Sequence, residues 1–217
     1  DVAHEIKNPL TSLRSAVETV ARVEDAEQQK QLMGIIKDDV SRLDRLISDI
    51  SDASRLDAEL SRAESEPVDI ATLLRMLADI NNSSDAAGAP RIELDLPLHD
   101  NLSVIGLEGR LAQVLRNLIG NAASFSPEDG KIFISARRDQ GHIIIDVKDD
   151  GPGIPSGKEQ AVFSRFYSER PEKEKFGTHS GLGLSISKQI VEAHRGSITA
   201  ENASTGGALF IVRLPAS

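Results

Sequence analysis

The stretch Ile143-Ile144-Ile145-Asp146-Val147-Lys148-Asp149-Asp150-Gly151-Pro152-Gly153-Ile154 decides how this chain reads. Ile143–Val147 is a β-branched run with strand character. It delivers Asp149 to a strand end, and Gly151 and Gly153 follow. A carboxylate there is an acceptor beside a backbone that a flat ligand can approach closely. Alone, D-x-G-x-G is no more than a turn. Its weight comes from the segments on either side.

Upstream, Glu108–Ser124 is an amphipathic helix with Leu111, Val114, Leu115, Leu118, Ile119 and Ala122 on its apolar side. Asn117 and Asn121 lie four apart on one face. Neutral amide oxygens are acceptable Mg²⁺ ligands when phosphates supply the negative charge. Downstream, Gly181-Leu182-Gly183-Leu184 runs into a predicted helix over Gly181–His194. Glycines before a helix leave N–H groups outward, where the positive end of the dipole favours phosphate. No G-K-[ST] follows, so this is not a P-loop. Between these segments Val162-Phe163-Ser164-Arg165-Phe166-Tyr167 is a hydrophobic anchor ahead of the polar stretch Ser168–His179, the pattern of a lid that closes over a ligand. The order N-x-x-x-N, D-x-G-x-G, G-x-G-L is far more specific than any one part.

Around this centre the sequence predicts a helix from Ile70 to Asn81 capped by Asp69, and strands at Arg91–Leu96, Lys131–Ala136, Ser197–Ala200 and Ala208–Leu214. Residues 1–60 are helical in character. Ile6, Leu10, Leu13, Val17 and Val20 form one apolar series, and Met33, Ile36, Val40, Leu43, Ile47 and Ile50 a second. Both are seams of packed helices. Polar Arg22–Gln29 is the expected turn between them. Two such stripes predict a dimer that forms a four-helix bundle. The polar stretch Ser61–Pro67 reads as a linker. Near the start, His4 is followed by Glu5, Asn8 and Pro9. Proline inside a helix removes a hydrogen bond and bends the axis, which exposes neighbouring side chains. Neutral imidazole is a competent nucleophile near pH 7, and a neighbouring carboxylate can hold one ring nitrogen as N–H.

Composition sets the limits. Of 217 residues, 39% are hydrophobic and 27% charged, as in a globular protein. Lys and Arg number 25 against 34 Asp and Glu, a net charge of −9 that argues against nucleic acid and anionic membrane as partners. With no cysteine, disulfides, thiolate metal sites and cysteine nucleophiles are excluded. No apolar run is long enough to span a membrane and no signal peptide is visible. The start at Asp1, inside a helical pattern, reads as a fragment of something longer.

The three ordered segments, with Val162–Tyr167 between the last two, resemble the N, G1, F and G2 boxes of bacterial sensor histidine kinases, within the superfamily of gyrase, Hsp90, kinase and MutL ATPases. Asp1-Val2-Ala3-His4-Glu5-Ile6-Lys7-Asn8-Pro9-Leu10 resembles their H box. The resemblance implies an α+β chain. A helical hairpin, dimeric as a four-helix bundle, comes first at 1–62 as the dimerisation and histidine phosphotransfer domain. A linker follows at 63–68, and an α/β sandwich of the Bergerat fold at 69–217 binds ATP. It implies that His4 is the phosphoacceptor, Glu5 its assisting base, and Glu5 and Asn8 the positions that serve dephosphorylation of a partner. Asn121 corresponds to the principal Mg²⁺ ligand and Asn117 to the second amide. Asp149 corresponds to the carboxylate that reads the adenine amino group, with Gly151, Gly153 and Ile154 in that pocket. Phe125 takes the place of a usual Tyr against the base. Gly181 and Gly183 offer backbone near the phosphates, with Leu182 and Leu184 beneath. Ser124 stands where the family often has Lys or Arg, so Arg165, or Arg170, Lys173 or Lys175 in the lid, is the candidate phosphate contact. The implied cofactors are ATP and Mg²⁺. The implied partners are a second copy through residues 1–60 and the receiver domain of a response regulator. The parent protein is implied to be anchored in the bacterial inner membrane, with this portion cytoplasmic. Gyrase and Hsp90 use a Glu in the N box to activate water; Asn117 cannot act as that base.

Overall fold

In the computed structural model the described residues are 2–60, 64–83, 89–98, 101–167 and 181–217, with backbone alone for 2–5, 52–53 and 55–60. Contacts divide the chain into two compact units. One comprises Asp1–Asp57 with Ser164–Gly183, the other Ala58–Phe163 with Leu184–Ser217.

The first unit holds two helices, α1 (Val2–Val20) and α2 (Ala26–Leu60). The turn between them is shorter than predicted. Asp25 caps α2, its carboxylate accepting from the Glu27 N–H at 2.8 Å and the Gln28 N–H at 3.3 Å, so the helix begins inside the polar stretch rather than after it. The two apolar series also divide. Ile6, Leu13, Val20, Ile36, Leu43 and Ile50 are half-buried, whereas Leu10, Val17, Met33, Val40 and Ile47 are exposed; Pro9, Ala16 and Leu46, which belong to neither series, are buried. The exposed set repeats every seven residues along each helix (10 and 17; 33, 40 and 47). This is the spacing of a seam awaiting another helix. Among the described residues no helix is long and apolar enough to cross a membrane.

The second unit is an α/β sandwich. A sheet in the order β2-β4-β5-β7-β6 combines β2 (Arg91–Asp95), β4 (Lys131–Asp139), β5 (His142–Lys148), β6 (Ser197–Asn202) and β7 (Ala208–Pro215). The β2–β4 pair is parallel and the other pairs are antiparallel. Two short strands that the sequence reading missed, β1 (Glu66–Asp69) and β3 (Ser103–Gly106), pair with each other. Strand β1 therefore begins within the stretch read as a linker. Helices α3 (Ile70–Asn82), α4 (Glu108–Phe125) and α5 (Gly183–Ala193) complete the unit. Asp69 caps α3 as predicted, accepting from the Ala71 N–H at 2.9 Å. A second bond, from the Thr72 hydroxyl, holds its carboxyl below the usual range. The predicted apolar side of α4 is buried, Ala112 included. A fully buried Leu or Ile contributes about 1.5–3 kcal/mol, so this stripe fixes the helix face by face. Ile143, Ile145 and Val147 of β5 are buried with it. Ile144 points to the opposite face yet is also buried. Its cross-strand neighbours are Arg137 and Arg213. Strand β5 thereby ends at Lys148 with Asp149 held in the interior.

Candidate functional site

Asp149 is only 1% exposed. Its Oδ1 accepts two backbone hydrogen bonds, from the Gly151 N–H and the Ala208 N–H, each at 2.9 Å. Among the described residues its other oxygen takes none. Burial pushes the carboxyl above its usual value, against the lowering effect of those two N–H groups. One oxygen is thus fixed and the other is left as an acceptor. A Cβ on Gly151 would lie 2.8 Å from the Phe125 carbonyl oxygen, so only glycine lets the loop pass the end of α4. Gly153 has φ +82° and Ile154 behind it is buried. The G-x-G spacing answers these two demands.

Asn117 and Asn121 are half-buried on one face of α4, beside the buried stripe that orients the helix. The Asn117 amide donates to the Ser187 hydroxyl at 3.2 Å, which ties α4 to α5. The Asn121 amide has no hydrogen bond among the described residues and is open to a ligand. Both offer neutral oxygens, the donor type that suits a hard cation whose charge is met by phosphates. Among the described residues no group of three His, Cys, Asp or Glu gathers.

The Phe163 ring is buried edge-on against Phe210, the two centroids 6.2 Å apart, and Lys188 of α5 lies 5.8 Å from the Phe163 ring. This anchors the base of the predicted lid. Farther along, the Phe166 N–H donates to the Gly181 carbonyl at 2.8 Å, which clasps the two ends of residues 167–180. A Cβ on Gly181 would lie 2.9 Å from the Phe166 Cα, and Gly181 has φ +71°. Arg165 is exposed and Leu182 buried. The predicted helix over Gly181–His194 is shorter, starting at Gly183, because Gly181 is spent on this clasp. Residues 168–180, with Arg170, Lys173, Lys175 and His179, lie outside the described residues. So does His99.

His4, Glu5 and Asn8 fall within α1, and Pro9 interrupts its hydrogen-bond ladder. Asn8 is exposed one helical turn beyond His4. The side chains of His4 and Glu5 are outside the described ones.

Two family models cover most of the chain. Residues 106–217 match the histidine kinase-, DNA gyrase B- and HSP90-like ATPase family, and residues 1–59 match the His Kinase A phospho-acceptor domain. The chain belongs to the sensor histidine kinases. It is 49% identical over 227 residues to the sensor protein ChvG of Rhizobium meliloti (strain 1021), a match that covers the whole chain. It spans only 39% of that protein's length. Among solved structures it resembles histidine kinase ThkA in complex with response regulator protein TrrA, with a TM-score of 0.78 and 28% identity over 100% of this chain and 60% of the other. It also resembles full-length ShkA in complex with AMPPNP, with a TM-score of 0.63 and 26% identity over 98% of this chain and 44% of the other.

For a histidine kinase of this fold the box residues were legible in sequence, but their supports were not. Asn202 clamps Ile154, and Gly207 gives way to the Asp149 carbonyl. His194 accepts from the Leu107 N–H through Nε2 at 3.0 Å and its Nδ1 meets the Ile190 carbonyl at 2.7 Å, which joins the end of α5 to the start of α4. The only signals were a loop asparagine, a G-G pair and a histidine at a helix end.

Proposed function

We propose that this chain is the catalytic core of a two-component sensor kinase, which phosphorylates His4 from ATP and passes the phosphoryl group to an aspartate of a response regulator receiver domain. Residues 1–62 are the dimerisation and phosphotransfer part, and the ATP-binding part follows a short linker and opens with strand β1 at Glu66. The observation that carries the reading is Asp149, a buried carboxylate with one oxygen fixed by two N–H groups and, among the described residues, no hydrogen bond on the other. That oxygen accepts from an exocyclic amine and refuses a carbonyl, which selects adenine over guanine.

Asn121 and Asn117 would hold Mg²⁺ through their amide oxygens. When bound, the cation neutralises charge between the outer phosphates. Phe125 and Ile154 flank the base. The Gly181 and Gly183 backbone, ahead of α5, and Arg165 meet the phosphates. At His4 one ring nitrogen attacks the γ-phosphorus while Glu5 holds the other as N–H. A P–N bond forms, the bridging P–O bond breaks and ADP leaves. In the reverse direction Asn8 orients water toward the acyl phosphate of the regulator. It donates and accepts without adding charge. The homodimer forms through residues 1–60, along the exposed heptad positions. Neither nucleic acid nor membrane is a partner of this portion, which lies in the cytoplasm below a membrane-anchored sensor. The likeness to ThkA bound to TrrA and to ShkA bound to AMPPNP supports the regulator and nucleotide assignments.

The test is labelling with [γ-³²P]ATP. The expected product is acid-labile and alkali-stable, and His4→Gln abolishes it while calorimetry still registers nucleotide. Label retained by His4→Gln at the parent rate overturns the assignment of the nucleophile.

A further inference from the structure

We infer that Asn202 is a positioning residue for the nucleotide pocket, through which the β6–β7 turn holds the floor loop Asp149–Ile154 at its far end. This rests on the proposed nucleotide reading. Asn202 ends β6, 48 residues beyond the loop it holds. Its Oδ1 accepts from the Ile154 N–H at 2.6 Å, and its Nδ2 donates to the Ile154 carbonyl at 2.8 Å. Both polar groups of one residue are therefore taken by one side chain, as a neighbouring strand would take them. The same amide sets the loop's shape. A Cβ on Gly153 would lie 2.5 Å from the Asn202 Oδ1, so the clamp requires glycine there.

The near end of the loop is held by the same turn. The Asp149 N–H donates to the Ala208 carbonyl at 3.0 Å, and the Ala208 N–H donates to the Asp149 Oδ1. A Cβ on Gly207 would overlap the Asp149 carbonyl oxygen, at 1.8 Å. The turn itself is closed by the Ala203 N–H to the Gly207 carbonyl at 3.0 Å and the Gly206 N–H to the Ala203 carbonyl at 2.9 Å. One rigid turn thus fixes both the carboxylate that reads the base and Ile154, buried beneath it. Without Asn202 the far end loses its tether while Asp149 keeps its own bonds. The pocket then has a correct acceptor above a displaced floor. That pattern lowers affinity and leaves the transfer step intact.

The molecule supplies a matched control. Asn82 makes the same two-bond clamp on Ile92, donating to its carbonyl at 3.0 Å and accepting from its N–H at 2.9 Å, at the β2 edge. Asn202→Ala and Asn82→Ala each remove one amide and two bonds to one isoleucine backbone. The experiment measures the Kd for AMPPNP by calorimetry, the KM and kcat for His4 labelling, and the melting temperature of the parent and both variants. Asn202→Asp is added because it keeps an acceptor for the Ile154 N–H and sets a second acceptor, in place of the donor, against the Ile154 carbonyl. The expected result for both Asn202 variants is an AMPPNP Kd and an ATP KM about tenfold higher, equivalent to about 1.4 kcal/mol, with kcat within twofold of the parent. Asn82→Ala lowers the melting temperature comparably and keeps the parent Kd. A parent-like Kd in the Asn202 variants, or an equal loss of affinity in Asn82→Ala, overturns the inference while the nucleotide reading stands. A parent chain that binds no AMPPNP overturns both.

Discussion

Replacing Asp149 with Asn separates recognition from folding. The amide oxygen of Asn accepts the same N–H groups of Gly151 and Ala208 that Asp149 holds at 2.9 Å. The other oxygen becomes an NH₂ group, which in the proposed pocket meets another donor, the adenine amine. A hydrogen bond to a charged group is worth about 1.5–3 kcal/mol, and the facing donors are left unsatisfied. Affinity for ATP therefore falls by about tenfold to a hundredfold, at about 1.4 kcal/mol per factor of ten. Stability moves the other way. Asp149 is almost fully buried, and desolvation lifts its carboxyl above the unfolded value despite two N–H partners. A raised acid pKa means that the folded state binds the proton more tightly than the unfolded state. Stability is then fully present below the unfolded value and declines as pH rises through the folded one. At neutral pH the ionised group is a net cost that the neutral amide does not carry. Asp149→Asn should melt no lower than the parent at pH 7, and the part of the parent's decline that Asp149 causes should disappear. Calorimetry with ATP and melting curves from about pH 4 to pH 8 measure both quantities. Parent-like ATP affinity in the variant, or affinity and melting temperature falling together, would refute the division of labour between the two carboxylate oxygens.

Ile47 tests assembly. It is 61% exposed in the single chain, so Ile47→Glu changes protomer stability by about 0.5 kcal/mol or less, yet it places an unpaired charge in a dimer seam at a cost of several kcal/mol. Light scattering should report monomers, and dimers that persist would move the interface elsewhere. Asn8→Ala should lose regulator dephosphorylation while His4 still accepts phosphate, giving a net kinase. If both rates fall in one preparation, Asn8 serves only the backbone beside Pro9.

Helices α4 and α5 and the long strands were readable because each buries one periodic face. The run Ile143–Val147 gave its strand, and the Asn, Asp and Gly positions followed because each needs a particular residue type. The strands β1 and β3 span only four residues each and carry no full period, so Val68 and Val104 are buried by pairing that no local pattern announces. The seam of α2 was readable as apolar but not as divided. The spacing placed Ile47 on the seam and left out Leu46, yet Leu46 is fully buried and Ile47 is not. Asp25 was a visible cap inside a stretch that its polarity marked as turn. The supports of the site were the least legible. Asn202 and Ala208 act on residues 48 and 59 positions away, and only the folded sheet brings them together.

The clamp at Asn82 has a consequence for the chain's behaviour in company. Strand β2 is an edge of the five-stranded sheet, and an edge strand offers unpaired peptide groups to any passing strand. Asn82 occupies the N–H and carbonyl of Ile92, the second residue of that edge, and Arg91, Glu93 and Asp95 of the same strand are exposed. A foreign strand that tried to extend the sheet there would first have to displace an amide already doing a peptide's job, and then stack against charge. At this position one side chain blocks the edge, which resists the addition of a foreign strand to β2.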